Sequence, residues 1–445
     1  MENVMKKETP INAEVVSTKI KENNITNFDT ATIRQIKKLV DDIQAETGDK
    51  FIRMEMGIPG LPPNKIGIEA EIMALKAGIP AIYPDIYGTG DLKNEISRFC
   101  KLFLNIEVSP EGCIPTVGSM QGSFASFMTI NRIDPEKNTS LFLDPGFPVH
   151  KQQHKVLGIP YETFDVYNYR GDKLRERLES YLSKGNISCL LYSNPNNPSW
   201  ICFTEKELQI IGELANKYGV IVIEDLAYFG MDFRKNYTVP GEPPHQPSVT
   251  QFTDNYILLI SSSKIFSYAG QRIGMMVISD KVYNIQSENL LKNYIFDTFG
   301  KAMVFGTIYS LSSGTAHTPQ YALAAILKAV NNGEYDFRKD VMEYGEKARI
   351  MKKLFLDNGF HIVYDKDEGN PIADGFYFTF SYPGFQGNEL LEKLIYYGIS
   401  AITLKITGSE RVEGIRACTS LVSREQFPDL EERLKRFHED HPVEG

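Results

Sequence analysis

Between residues 110 and 280, short apolar runs alternate with stretches of helical character. The runs are CIPTVG (113–118), SLFLD (140–144), YETFDV (161–166), CLLYS (189–193), VIVIED (220–225), YILLI (256–260) and GMMVIS (274–279). Several are apolar without a polar residue on alternate positions, as expected of strands covered on both faces. The segment TEKELQIIGELANKYG (204–219) shows a helix with both ends readable. Thr204 and Glu207 make a capping box, and Gly219 suits the residue that leaves the last turn. Alternation of this kind predicts an α/β fold with a mainly parallel seven-stranded sheet covered by helices.

The pattern changes after about residue 330. A long helix is predicted over 334–359, strands at GFYFTF (375–380) and GIRACTS (414–420), and a closing helix over 428–438. The first 50 residues are polar, with one helix predicted near 30–46. A chain of 445 residues exceeds what one core ordinarily holds. The expected division is an N-terminal arm and part of a small domain at 1–75, a large domain at 76–330 and the rest of the small domain at 331–445. The smaller domain is then α+β, built from the N- and C-terminal segments.

Composition narrows the function. With 42% apolar and 24% charged residues the chain reads as a soluble globular protein. A net charge of −9 argues against nucleic acid or an anionic membrane as partner. No apolar run approaches the roughly 20 residues of a membrane helix. The start, MENVMKKETPINAE, has no signal-peptide core, and the five cysteines show no CxxC spacing, so a reduced, cytoplasmic protein is expected.

In open parallel sheets, ligands bind beyond the carboxyl ends of the strands. CIPTVG is followed by Ser119 and Met120 opening a helix, SLFLD by Phe147, CLLYS by Asn197, VIVIED (ending in Asp225) by Tyr228, and YILLI by Ser261 and Lys264, with Arg272 soon after. A helix N-terminus, two serines and an arginine suit a phosphate. Phe147 offers a face for a heteroaromatic ring. Asp225 can keep a ring nitrogen protonated, Asn197 and Tyr228 can donate to a ring oxygen, and the Lys264 amine can close a Schiff base with an aldehyde.

These motifs, in order, make the chain resemble the class I/II aminotransferases of the fold-type-I pyridoxal-phosphate enzymes, the aspartate aminotransferase superfamily, from about residue 25 to 438. They are GIPG (57–60), Tyr83 with Gly88 and Leu92, GSMQ (118–121), PGFP (145–148), NPNNPS (194–199), DLAY (225–228), SSSK (261–264) with Arg272, and GIR (414–416). The resemblance implies pyridoxal 5'-phosphate as cofactor, carried by Lys264, with Asp225 and Tyr228 completing the catalytic set. It implies Ser119, Met120, Ser261 and Arg272 as the phosphate cup, Phe147 as the stacking ring, and Asn197 as a contact to both ring and substrate. Arg416, with Gly57, would bind the substrate carboxylate. Tyr83 would reach the phosphate of a neighbouring subunit, which implies a homodimer with shared active sites.

The implied reaction moves an amino group between an L-amino acid and a 2-oxo acid in ping-pong fashion through Lys264. A lyase, decarboxylase or synthase on the same scaffold is the alternative, and a cofactor-sensing regulator is a remote one. Members specific for dicarboxylates place a second arginine in the region matching 306–320, which has no lysine or arginine here, so neutral or aromatic donors are favoured. Trp200 stands where the family has a turn glycine, so either the backbone avoids positive φ there or the loop differs. His150 and His154 are spaced to share a helix face, but no third ligand is evident and no metal site is expected.

Overall fold

The structure, a computed structural model, describes residues 9–443. All seven apolar runs enter one sheet: β1 (Cys113–Thr116), β2 (Thr139–Asp144), β3 (Tyr161–Asp165), β4 (Ile187–Ser193), β5 (Ile221–Asp225), β6 (Tyr256–Ser261) and β7 (Gly274–Ile278). Their spatial order is β1-β7-β6-β5-β4-β2-β3. Strands β6 to β3 pair in parallel, and β7 runs antiparallel to both of its neighbours. Gly274 at the start of β7 faces Thr116 at the end of β1 and Ser261 at the end of β6. Residues entering β7 therefore share an edge with residues leaving the other strands, which brings Arg272 beside Ser261.

Nine helices matter for the site and its support: α1 (Ile33–Thr47), α2 (Lys65–Lys76), α3 (Gly90–Leu104), α4 (Gly118–Ile130), α5 (Pro148–Leu157), α6 (Glu205–Tyr218), α7 (His317–Asn331), α8 (Phe337–Asp357) and α9 (Phe427–Asp440). On one sheet face, Val222, Leu258 and Met275 join a core with Phe99 of α3, Ile211 of α6 and Leu323 of α7. On the other, Ile223, Leu259 and Met276 meet Phe127 and Ile130 of α4. Burial on both faces explains why these strands lack polar alternation. Helix α6 is capped as its sequence predicts: Glu207 donates its backbone N–H to Thr204 Oγ1 at 3.3 Å, and Thr204 donates back to Glu207 Oε2 at 2.9 Å. Gly219 ends it at φ 60°.

A separate core unites the two chain ends. Leu39 and Ile43 of α1 pack with Phe355 of α8, Phe378, Phe380, Ile415 and Leu434 of α9. Strands β8 (Tyr377–Ser381) and β9 (Ile415–Cys418) pair antiparallel with Thr379 opposite Arg416, and Ile52–Arg53 pairs in parallel with Ile399–Ser400. The predicted strand 113–118 stops at Thr116, because Gly118 turns the chain at φ 64° and opens α4. Among the described residues no helix is long and apolar enough to cross a membrane.

Candidate active site

A cavity of about 280 Å³ lies at the carboxyl edge of the sheet and reaches β8 and β9. Every residue assigned to the cofactor or substrate from the sequence lines it except Tyr83: Gly57, Ser119, Met120, Phe147, Asn197, Asp225, Tyr228, Ser261, Lys264, Arg272 and Arg416. Tyr83 stands 91% exposed on the outside of the chain.

Asp225 is the last residue of β5, and its Oδ1 accepts the Ala227 backbone N–H at 3.1 Å. Burial pushes its carboxyl up to about 6, against the pull of that N–H and of Lys264. Lys264 follows β6 in a single helical turn started by Ser261, whose Oγ accepts the Ser263 N–H at 3.1 Å. Burial lowers the lysine's proton affinity, Asp225 and Cys418 oppose this, and Arg272 and Arg416 add to it. Its Nζ lies 5.8 Å from the Tyr228 ring centroid. An amine so placed is more readily unprotonated than a surface lysine, and so more available as a nucleophile and base.

Next to these two groups is a cradle for an anion. The first turn of α4 leaves backbone N–H groups free of helical partners. Ser119 Oγ in that turn is buried without a hydrogen-bond partner among the described residues. A Cβ on Gly118 would stand 2.5 Å from Arg272 Nη2, so the guanidinium rests directly on the glycine. Phe147 precedes α5, and its ring meets His150 edge-on at 5.7 Å. His150 also lines the cavity; His154 is turned away, with Nδ1 3.0 Å from the His150 carbonyl and Nε2 2.8 Å from Ser140 Oγ. Burial drops their imidazoles to about 3 and about 4, so both are neutral wall and core groups.

Arg416 is 1% exposed. It donates to Asn197 Oδ1 at 3.3 Å and to the Glu55 carbonyl at 2.6 Å, and its guanidinium lies 4.5 Å from the Tyr377 ring centroid. Its Nε has no partner, and no carboxylate among the described residues comes within ion-pair distance. A buried cation without an anion is costly to keep, and a ligand carboxylate in the cavity would satisfy it.

Tyr377 escaped the sequence reading. Its hydroxyl accepts a hydrogen bond from Tyr228 at 2.8 Å, and a Cβ on Gly57 would fall 2.0 Å from that hydroxyl. Gly57 is thus a glycine because Tyr377 occupies the side-chain space. The available signal was a tyrosine in the run GFYFTF, whose alignment with GIR depends on a strand register that the sequence does not print.

Trp200 corrects an expectation. It keeps positive φ, at 66°, where a backbone avoiding that region was one of two outcomes considered. A left-handed conformation costs an L-residue about 1–2 kcal/mol. Packing offsets this: the indole is fully buried, 5.3 Å from the Tyr228 ring and 6.2 Å from that of Tyr377. It fits because residue 375 is glycine, where a Cβ would fall 2.0 Å from the indole. Gly375→Ala is therefore expected to lower unfolding free energy by about 1–3 kcal/mol in denaturant titration. In a Trp200→Gly background the same substitution should cost far less, as neighbours in contact are not additive.

Residues 54–365 match the family described as aminotransferase class I and II. A probable aspartate aminotransferase of Methanocaldococcus jannaschii is 26% identical over 347 residues, 77% of this chain and 84% of that protein. A (5-formylfuran-3-yl)methyl phosphate transaminase of the same organism is 24% identical over 420 residues, 93% of this chain and 98% of that protein. The crystal structure of an aspartate aminotransferase from Thermotoga maritima superposes with a TM-score of 0.74 at 18% identity, covering 95% of this chain and 99% of that one. With the family match spanning most of the sequence and the lysine, aspartate and arginine gathered at one sheet edge, the chain belongs to the aminotransferase class I and II family.

Proposed function

We propose that the chain exchanges an amino group between an L-amino acid with a neutral or aromatic side chain and a 2-oxo acid, in ping-pong order, with pyridoxal 5'-phosphate held in the cavity. The residues fit that cofactor: the buried, unpartnered Ser119 hydroxyl and the Gly118–Arg272 cradle suit its phosphate. Lys264 would carry it, Asp225 would face its ring nitrogen, Tyr228 and Asn197 its ring oxygen, and Phe147 its ring face. Ser261 and Met120 complete the phosphate side. When bound, the cofactor supplies an electron sink for the electrons released at the substrate Cα.

The protein's own groups do the rest. Arg416 grips the substrate carboxylate and fixes its Cα near Lys264. The Lys264 amine takes up the Cα proton as a general base and releases it as a general acid, which its lowered proton affinity favours. Asp225 holds a proton at the ring nitrogen, since a buried carboxylate at about 6 is ionised at neutral pH and seeks a cation.

The observation that carries this reading is Arg416, a buried guanidinium with no acidic partner among the described residues, lining the same cavity as Lys264 and Asp225. It also supports the substrate class. Among the described residues, the cavity's cationic side chains are Lys264, Arg272 and Arg416. Two of them serve the cofactor, which leaves one for a single carboxylate. The walls formed by Ile33, Met56, Ile58 and Phe147 suit an apolar side chain. A second copy of the chain would cover Ile82, Tyr83, Tyr309 and Leu311, all exposed here, and so complete the site from the partner side.

The test is a panel of amino donors given singly to the cofactor-loaded protein, reading the change in cofactor absorbance. Phenylalanine, methionine or leucine is expected to react about 10-fold or more faster than aspartate. Aspartate reacting fastest would overturn the substrate class, and release of carbon dioxide or an eliminated group would overturn transamination.

A further inference from the structure

The hydroxyls of Tyr228 and Tyr377 form a pair at 2.8 Å, and the pair joins the two halves of the site. Tyr228 follows β5, whereas Tyr377 opens β8 and lies beneath the guanidinium of Arg416. Tyr377 is 2% exposed. The backbone at Gly57 closes one side of its hydroxyl, and the Trp200 ring stands 6.2 Å from its own. The Tyr377 hydroxyl has Tyr228 as its hydrogen-bond partner, and the side chain forms part of the cavity wall.

Proton accounting shows what the pair can do. Here Tyr228 donates to Tyr377, so its proton is engaged by that hydroxyl. If an acceptor oxygen enters the cavity, Tyr228 must redirect that proton to it. Tyr377 can then supply its own proton to the Tyr228 oxygen. A hydroxyl that accepts a hydrogen bond donates more strongly, because linked hydrogen bonds polarise one another. Burial holds both phenols well above their usual range, so both keep their protons and the chain of donors persists at neutral pH. The charged or titratable groups facing the pair and Lys264 are Asp225 on β5, Arg272 ahead of β7, and Arg416 and Cys418 on β9.

We infer that Tyr377 is a positioning residue: by donating to the Tyr228 hydroxyl it strengthens Tyr228 as a donor to a cofactor oxygen in the cavity, and so tunes proton affinity at Lys264. The inference rests on the cofactor reading above. Without the Tyr377 proton, Tyr228 donates less strongly and leaves more negative charge on the ring oxygen. That charge holds a proton at the Lys264 nitrogen more firmly.

The experiment titrates the visible absorbance of the pyridoxal-phosphate-loaded protein against pH, without substrate. Wild type, Tyr377→Phe, Tyr228→Phe and the double variant are compared. Tyr377→Phe is expected to move the titration midpoint up by about half a pH unit. Tyr228→Phe should move it further, and adding Tyr377→Phe to Tyr228→Phe should move it no more. Tyr377→Leu, which also lacks the hydroxyl, is the second variant should Tyr377→Phe not fold, and it should shift the midpoint in the same direction. A hydroxyl-free variant that titrates like wild type, or that shifts the midpoint equally in the Tyr228→Phe background, overturns the inference alone. Wild-type protein that takes up no coloured cofactor overturns the cofactor reading as well.

Discussion

Replacing Lys264 with alanine is expected to lower transamination turnover by about 10⁴-fold or more, while the protein stays folded. The two halves of this expectation have different causes. Turnover falls because, among the described residues, no other lysine lines the cavity, so the proton at the substrate Cα loses its acceptor. Folding survives because, among the described residues, the Lys264 side chain makes no hydrogen bond or ion pair, and alanine keeps the backbone carbonyl that accepts the Ser267 N–H. Its turn is held instead by Ser261, which accepts the Ser263 N–H, and by Ser262, whose hydroxyl donates to the Ile273 carbonyl. Removing a buried amine also relieves the desolvation that lowers its proton affinity. Single-turnover kinetics with an added small amine extends the test. Partial rescue by the amine is expected if the missing group is the base.

Asp225→Asn should separate stability from activity. In the native chain burial raises this carboxyl from 3.8 to about 6. Between those values the folded protein binds the proton more tightly than the unfolded chain, so stability falls as pH rises through this window. The full shift is worth about 3 kcal/mol, lost by neutral pH in the cofactor-free protein. Asparagine cannot ionise and escapes this loss. Denaturant titrations of cofactor-free protein should find the variant more stable than wild type by up to about 3 kcal/mol near neutral pH, with the gap closing below about pH 4. Turnover should move the other way, down by about 10²–10³-fold, because an amide cannot hold the ring nitrogen protonated. An equal stability difference at both pH values would contradict the assignment of burial as the cause.

Much of this architecture could be read from the chain because its signals are local. Each of the seven strands is an apolar run ended by Gly, Pro or a polar cluster, and each run appears as a strand in the predicted place. Thr204, Glu207 and Gly219 bracket α6 through hydrogen bonds and a backbone conformation specific to those residue types. Ser119, Phe147, Asn197, Asp225, Tyr228, Ser261 and Lys264 were visible because they sit at or follow strand ends, where a parallel sheet gathers them regardless of loop length, whereas Gly57 and Arg416 came only from the family resemblance. What escaped was non-local. The antiparallel direction of β7 has no local signature, although it is what puts Arg272 beside Gly118. Tyr377 enters the site through the pairing of β8 with β9, and a slip of one residue would have turned it to the other face. Trp200 keeps its left-handed backbone because Gly375, 175 positions later, leaves a slot for the indole.

The central claim is that the Lys264 amine carries an aldehyde cofactor at the edge of the buried sheet. Borohydride reduction of the protein after loading with pyridoxal 5'-phosphate, followed by peptide mass spectrometry, tests it most directly. The account predicts one reduced adduct per chain, on the peptide containing Ser261–Lys264. An adduct confined to other lysines, or none at all on a protein that still transaminates, would contradict it.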